Sequence, residues 1–360
     1  MTENHRQTRL IDALLNRARE GARVVEDHLR FVMDRPALSK RAKTIRHELT
    51  CVATSCIDTT ELVRRRDVPS DVGRHTKTDT EAQRPDTAHL LGANFKRLQE
   101  ALRSLEEHAK LAGWSEAARA FEDLRYRSYE LESDVATSGH RRRLLAGRDL
   151  YVLVTAALCS RDVLETVREI VEAGVELIQI REKDMPDRAL LEHTRRVLDI
   201  AAPAGVPVLV NDNTAVARLA GAAGVHVGQN DLACRDIRTI CGGDAVVGIS
   251  AGSVDEARVA EADGADCLGT GPVFYTDTKK VERGLGTGHL VEVIRSVSIP
   301  VHAIGGITPE NIDEVLEAGC ASVAVCSAVI SATDPGRVTA RLKEKIDRAR
   351  ARQSDHGGPR

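Results

Sequence analysis

Aromatic residues make up only 2% of the 360-residue chain, so its cores must be aliphatic. One-sided charge is also missing. The 51 basic and 54 acidic residues leave a net charge of −3, which argues against a general nucleic-acid or membrane surface. Long apolar runs are absent too: the longest apolar-rich stretch, Ala321 to Ile330, is far too short to span a bilayer. The first residues carry Arg6, Arg9, Asp12, Arg17, Arg19 and Glu20 with no signal-peptide run, so the expected location is the cytoplasm. Eight cysteines occur without a CxxC pair, and nothing near Cys51 and Cys56 completes a zinc-ligand spacing. Idle or buried thiols in a reducing compartment fit that pattern.

What is present divides into two parts. Residues 1–137 read as a helical domain: glycine is sparse, and Leu10, Leu14, Ala18, Ala22, Val25 and Leu29 recur at helical spacing. A second such helix runs from about Leu90 to Leu111, and a third from about Ser115 to Leu131. The first two form a repeat. Arg17, Glu20, Arg23, Glu26, Asp27 and His28 match Arg97, Glu100, Arg103, Glu106, Glu107 and His108, each 80 residues later. Arg and Glu three apart on a helix are neighbours. The ladders therefore suit salt-bridged scaffolding, a dimer interface, or a polar groove shared with Arg46 and Arg66. Residues 138–148 hold Gly139, Arg141, Arg142, Arg143 and Gly147 and are expected to be a basic linker.

From residue 149 to 347 short apolar runs alternate with amphipathic stretches. The runs are Leu150–Val154, Leu177–Ile180, Val208–Val210, Val225–Val227, Ala245–Ile249, Cys267–Gly269, Val301–Ile304 and Val323–Val325. Continuous Val/Ile runs suit strands buried on both faces. Eight of them in an α/β pattern predict a (β/α)8 TIM barrel, with chemistry at the strand C-terminal ends. A polar tail, 348–360, follows.

The predicted strand ends are polar. Arg181 and Lys183 follow the second strand on one side of the chain, and two like cations there call for an anion, most simply a phosphate ester. Asp212 and Asp231 end the third and fourth strands. Each alone suits a helix N-cap, but together, beside Arg181, Lys183 and Lys279, they suggest Mg2+ on a diphosphate. Gly305 and Gly306 after the seventh strand would let a phosphate approach backbone N–H groups. The polar segment Val273 to Gly288, which brackets Lys279, reads as a mobile lid.

Several motifs in order then resemble the thiamine-phosphate synthase family over about residues 148–345. They are Gln179-Ile-Arg-Glu-Lys183, Val210-Asn-Asp212, His226-Val-Gly-Gln-Asn-Asp231, Gly248-Ile-Ser250, Gly269-Thr-Gly-Pro-Val-Phe274, Thr276-Asp-Thr-Lys279 and Ile304-Gly-Gly-Ile307. The resemblance implies a Mg2+-dependent transferase that joins hydroxymethylpyrimidine diphosphate to thiazole phosphate and releases diphosphate. It implies that Gln179, Arg181, Lys183, Asn211, Ser250 and Lys279 hold the pyrimidine diphosphate, and that Asp212 and Asp231 bind Mg2+. Thr276, Thr278, Gly306, Cys326 and Ser327 would line the thiazole-phosphate side. Three positions depart from the family pattern. Tyr275 stands where proline is usual, Gly252 where histidine is common, and Cys326 where an aliphatic residue is usual.

Ile11-Asp-Ala13 through Phe31, Arg46-His47, Arg66-Asp67, Asp71-Val-Gly73, Ala93-Asn94 through Lys110 and Arg125-Tyr126 resemble a domain fused ahead of this synthase in some bacteria. That family's name suggests a link to a pyrimidine-phosphate kinase, yet this half has no GxxxxGK[ST] or GxGxxG motif. Two other readings compete. A thiazole-phosphate tautomerase would need no diphosphate site, and the charged set argues against it. A regulatory protein sensing thiamine intermediates stays open for the helical half. The implied partners are small-molecule substrates, not nucleic acid or membrane, and a homo-oligomer is compatible with the pattern.

Overall fold

The computed structural model describes residues 3–65, 84–276 and 284–355. The chain divides into two units, Met1–Thr137 and Ser138–Arg360.

The first unit is built on α1 (Glu3–Phe31), α2 (Pro36–Cys56), the short α3 (Thr59–Arg64), α4 (Thr87–Leu111) and the first part of α5 (Ser115–Leu145). Its core is aliphatic, with Phe95 and Phe121 among the few rings. The repeat in the sequence is a repeat of burial. Leu15, Ala18, Ala22, Val25 and Leu29 on α1 are buried, as are Phe95, Leu98, Leu102, Leu105 and Ala109 on α4, at the same 80-residue offset. The two helices touch closely at Gly21, where a Cβ would stand 2.8 Å from the Asn94 carbonyl oxygen. Helix α2 went unread in the sequence because its inward face, Ser39, Ala42, Ile45, Leu49 and Ala53, is partly small or polar.

The second unit is a closed barrel of eight parallel strands in sequential order. They are β1 (Leu150–Val154), β2 (Leu177–Ile180), β3 (Val208–Asn211), β4 (Gly224–Val227), β5 (Val246–Ser250), β6 (Cys267–Thr270), β7 (Val301–Ile304) and β8 (Ser322–Val325). Around them lie α6 (Val163–Glu172), α7 (Asp187–Ala201), α8 (Thr214–Ala220), α9 (Cys234–Cys241), α10 (Val254–Asp263), α11 (Gly286–Ser296), α12 (Ile312–Glu317), α13 (Ser327–Ile330) and α14 (Pro335–Asp355). Alternate strand residues serve two cores, as a period of two requires. Val152, Ile178, Val208 and Val210 pack outward against the helices. Tyr151, Leu153, Leu177, Leu209, Val246, Cys267 and Ala324 pack together in a separate cluster.

The expected linker at 138–148 is helical as far as Leu145. No proline interrupts this stretch, and a helix tolerates Gly139 at a cost of about 1 kcal/mol. The helix ends near Gly147, which adopts a left-handed φ of 69°. Arg141 is buried and donates from Nε to Asp266 Oδ1 (2.9 Å), while Asp266 Oδ2 accepts from Arg238 Nη2 (2.7 Å) and Val247 N–H (2.9 Å). Leu145 joins the Tyr151 cluster. The basic run thus ties the end of α5 to the barrel. The expected lid is anchored at both flanks. Val273 and Phe274 donate to Ile304 and Gly305 carbonyls, and Leu285 and Gly286 donate to Pro272 and Val273. Residues 277–283, with Thr278 and Lys279, lie outside the described residues, as do Arg66 and residues 71–73.

Candidate active site

Two cavities adjoin at the C-terminal ends of the strands. One, of about 230 Å3, is lined by Gln179, Arg181, Lys183, Asn211, Asp212, His226, Asp231 and Ser250 among others. The second, of about 270 Å3, is lined by Thr276, Gly305, Gly306, Cys326 and Ser327 among others. Leu153, Arg181, Ile304 and Ala324 belong to both linings. Every described candidate residue therefore lies in the lining of one of these two cavities, and Arg181 in both.

In the first cavity, strand alternation brings Arg181 and Lys183 to the same side. Gln179, one step deeper, is buried and donates from Nε2 to the Tyr151 hydroxyl (2.6 Å). This bond leaves its amide oxygen to accept. Ser250 Oγ lies 3.2 Å from His226 Nε2. Asp212 has a left-handed φ of 60°, which aspartate accepts more readily than most residues. Its N–H donates to the His226 carbonyl. The neighbouring protein strips water from its carboxyl, and the charge of Asp231 adds to this. Both push its pKa up, against the weaker pull of Asn211, Lys183 and Arg181. Neither aspartate is a helix cap. Asn213 caps α8, and the α9 cap position is Ala233, with no side-chain bond. Asp231 Oδ2 instead accepts from Gly228 N–H (2.7 Å) within its own turn.

Among the described residues no three or more His, Cys, Asp or Glu side chains converge so as to hold a metal ion by themselves. The donor set does fit Mg2+, which takes one or two carboxylates and fills its octahedron with water and phosphate oxygens. Burial raises the Asp212 pKa first and the nearby Asp231 charge second, so the two carboxylates are close enough to feel each other.

In the second cavity the Gly305-Gly306 peptide is exposed to the lining. Gly305 has φ 102° and Gly306 φ 66°, and a Cβ on Gly306 would meet the Tyr275 carbonyl oxygen at 2.3 Å. Burial pushes the Cys326 thiol up to about 11, so it stands in the wall as a neutral, small group. The other two departures are local. Tyr275 is 63% exposed and is not part of either lining. At Gly252, where histidine is common, His289 from α11 brings Nε2 to 2.9 Å from the Gly252 carbonyl.

A family model described as thiamine monophosphate synthase matches residues 150–329, and one described as the ThiD2 family matches residues 9–134. A thiamine-phosphate synthase of Gloeobacter violaceus is 39% identical over 94% of this chain and 97% of its own length. The chain belongs to the thiamine-phosphate synthase family. A thiamine-phosphate synthase of Thermosynechococcus vestitus is also 39% identical, over 96% of both chains. Family membership thus extends through the helical half, and the family is one of transferases of thiamine biosynthesis. The solved structure of thiamine phosphate pyrophosphorylase from Pyrococcus furiosus is 35% identical, with a TM-score of 0.52, and covers 58% of this chain and 98% of that one. No described helix is long and apolar enough to cross a membrane.

Sequence reasoning gave no role to Tyr151, His226 or Thr155. A signal existed for His226: it is the one polar residue in the apolar run of β4, and its parity points it inward.

Proposed function

We propose that this chain joins 4-amino-2-methyl-5-hydroxymethylpyrimidine diphosphate to thiazole phosphate, giving thiamine phosphate and diphosphate. The observation that carries the reading is the pair of adjoining cavities with Arg181 in their common wall. One holds cations and paired carboxylates, as a diphosphate with Mg2+ requires. The other holds a glycine pair and small polar groups, as a single phosphate requires.

The Gln179 amide oxygen, fixed by Tyr151, accepts from the pyrimidine amino group. Arg181 and Lys183, with Ser250 and Asn211, hold the diphosphate oxygens, and Lys279 joins them. Asp212 and Asp231 hold Mg2+, which supplies charge neutralisation of the diphosphate when bound. The methylene–oxygen bond ionises as Arg181 and Lys183 take up the charge developing on the leaving group. The electron-rich pyrimidine stabilises the cation that remains. Thr276, Thr278, Gly306, Cys326 and Ser327 hold the thiazole phosphate so that its ring nitrogen faces that carbon. The protein's contribution is positioning and preorganised charge. No general base is required.

The test is mass-resolved product analysis on the full chain with both substrates, with and without Mg2+. Thiamine phosphate and diphosphate in equal amounts are expected, and only with the metal. Asp231→Ala should raise the Mg2+ requirement while leaving the KM for thiazole phosphate within about twofold, because the two ligands occupy separate subsites. Product formed without diphosphate release would overturn the reading.

A further inference from the structure

Glu182 sits between the two cations of the anion site, and the mechanism above does not use it. Alternation turns it away from the cavity. Its side chain is 7% exposed, which is rare for a glutamate. A buried carboxylate is costly unless it is engaged. Its Oε1 accepts from Ala156 N–H, in the turn that follows β1, at 2.6 Å. Two further bonds flank this one. Thr155 Oγ1 donates to the Arg181 carbonyl (2.7 Å), and Arg181 N–H donates to the Val154 carbonyl (2.8 Å). Residues 154, 155 and 156 are thus bonded in register to the backbone of Arg181 and the side chain of Glu182. Behind the carboxylate, α7 brings buried His193 with Nε2 3.8 Å from Glu182 Oε1. That nitrogen has no hydrogen-bond partner among the described residues.

We propose that Glu182 is a positioning residue acting through Arg181. Its carboxylate locks the β1 and β2 strand ends together and so fixes the guanidinium on the wall common to both cavities. The proposal rests on the reading of Arg181 as a ligand of the diphosphate. An aliphatic side chain would fill the same space but leave Ala156 N–H without its acceptor and free the β1 turn to drift. A guanidinium serves two cavities only if its backbone is fixed, because the side chain has many rotamers of its own.

The test is a double-mutant cycle on the full chain, reading KM and kcat for both substrates. Glu182→Ala should raise the KM for the pyrimidine diphosphate roughly tenfold, the scale of one charge-assisted hydrogen bond. Glu182→Gln, whose amide oxygen still accepts from Ala156, should return it to within about threefold of the parent. In an Arg181→Ala background, Glu182→Ala should add less than about twofold, because its effect runs through the missing guanidinium. Thr155→Val, which removes the bond to the Arg181 carbonyl, should behave alike and serves if Glu182→Ala fails to fold. Losses that multiply in the double variants overturn the positioning role while leaving Arg181 as a ligand. An Arg181→Ala protein with unchanged KM for both substrates overturns the diphosphate reading itself.

Discussion

Glu26 on α1 and Glu106 on α4 occupy equivalent positions, and each is buried against an arginine of the long helix that follows it. Arg46 Nε donates to Glu26 at 2.7 Å, and Arg125 Nη2 donates to Glu106 at 3.2 Å. Arg23 and Arg103, three residues earlier on their own helices, complete each pair. The arginines that the sequence offered to a bound anion are, in these cases, engaged by internal carboxylates.

Glu106→Ala should therefore cost about 3–5 kcal/mol, because it strands the buried Arg125 charge. Arg103→Ala should cost less than about 1 kcal/mol, since its side chain is 55% exposed. Urea denaturation of the two variants checks this. Similar small losses in both would place the anchor elsewhere.

The same carboxylate predicts a pH dependence. Burial raises the Glu106 pKa, but hydrogen bonds and charge from Lys110 and Arg103 outweigh it, so the group lies below its usual value. Its stabilising effect is complete above the unfolded pKa, about 4.3, and is lost as pH falls through the folded one. Protection factors of α4 amides, which remove the pH dependence of intrinsic exchange, should fall as the solution is acidified below that point. Glu106→Gln should flatten the response.

Asp212 works in the opposite sense. Its folded pKa is raised, by lost hydration first and by Asp231 second, so ionisation at neutral pH costs the metal-free protein stability. Asp212→Asn should raise the melting temperature in chelator and abolish its increase on adding Mg2+, while activity falls by at least roughly tenfold. A lower melting temperature with the Mg2+ response intact would remove Asp212 from the metal site.

The helical end of α5 belongs to the barrel's own stability. Arg141→Ala in the full chain leaves Asp266 half-partnered, and Leu145→Ala opens a gap beside Tyr151. Each should cost about 2–5 kcal/mol. Arg142→Ala, at an exposed neighbour, should cost less than about 1 kcal/mol. Thermal denaturation followed by near-ultraviolet dichroism of the tyrosines checks the order.

The barrel was legible because its strands are buried on both faces. Leu150–Val154 and Leu177–Ile180 are continuous apolar runs that end where the polar motifs begin. The C-terminal end of α5 and the inner face of α2 were not, because burial there rests on Arg141, Ser39 and Ala42, which look like surface residues when read singly. The assignment of the site residues to two sides came with the family resemblance, and strand parity accounts only for Gln179 facing the barrel interior. The contacts behind it, Glu182 on Ala156 and Gln179 on Tyr151, join residues 26 and 28 positions apart and leave no local pattern.

At the Gly305-Gly306 peptide the chain has given up its freedom to vary. Any side chain at 306 meets both a left-handed backbone and a carbonyl oxygen at 2.3 Å, and any at 305 meets Pro272 at 2.5 Å. A saturation library across the barrel mouth should therefore recover a single amino acid at these two codons, while the exposed Tyr275 beside them accepts many. The glycine end of the second cavity is thus specified by atoms that are missing, and such a specification can be lost in one step but not adjusted by degrees.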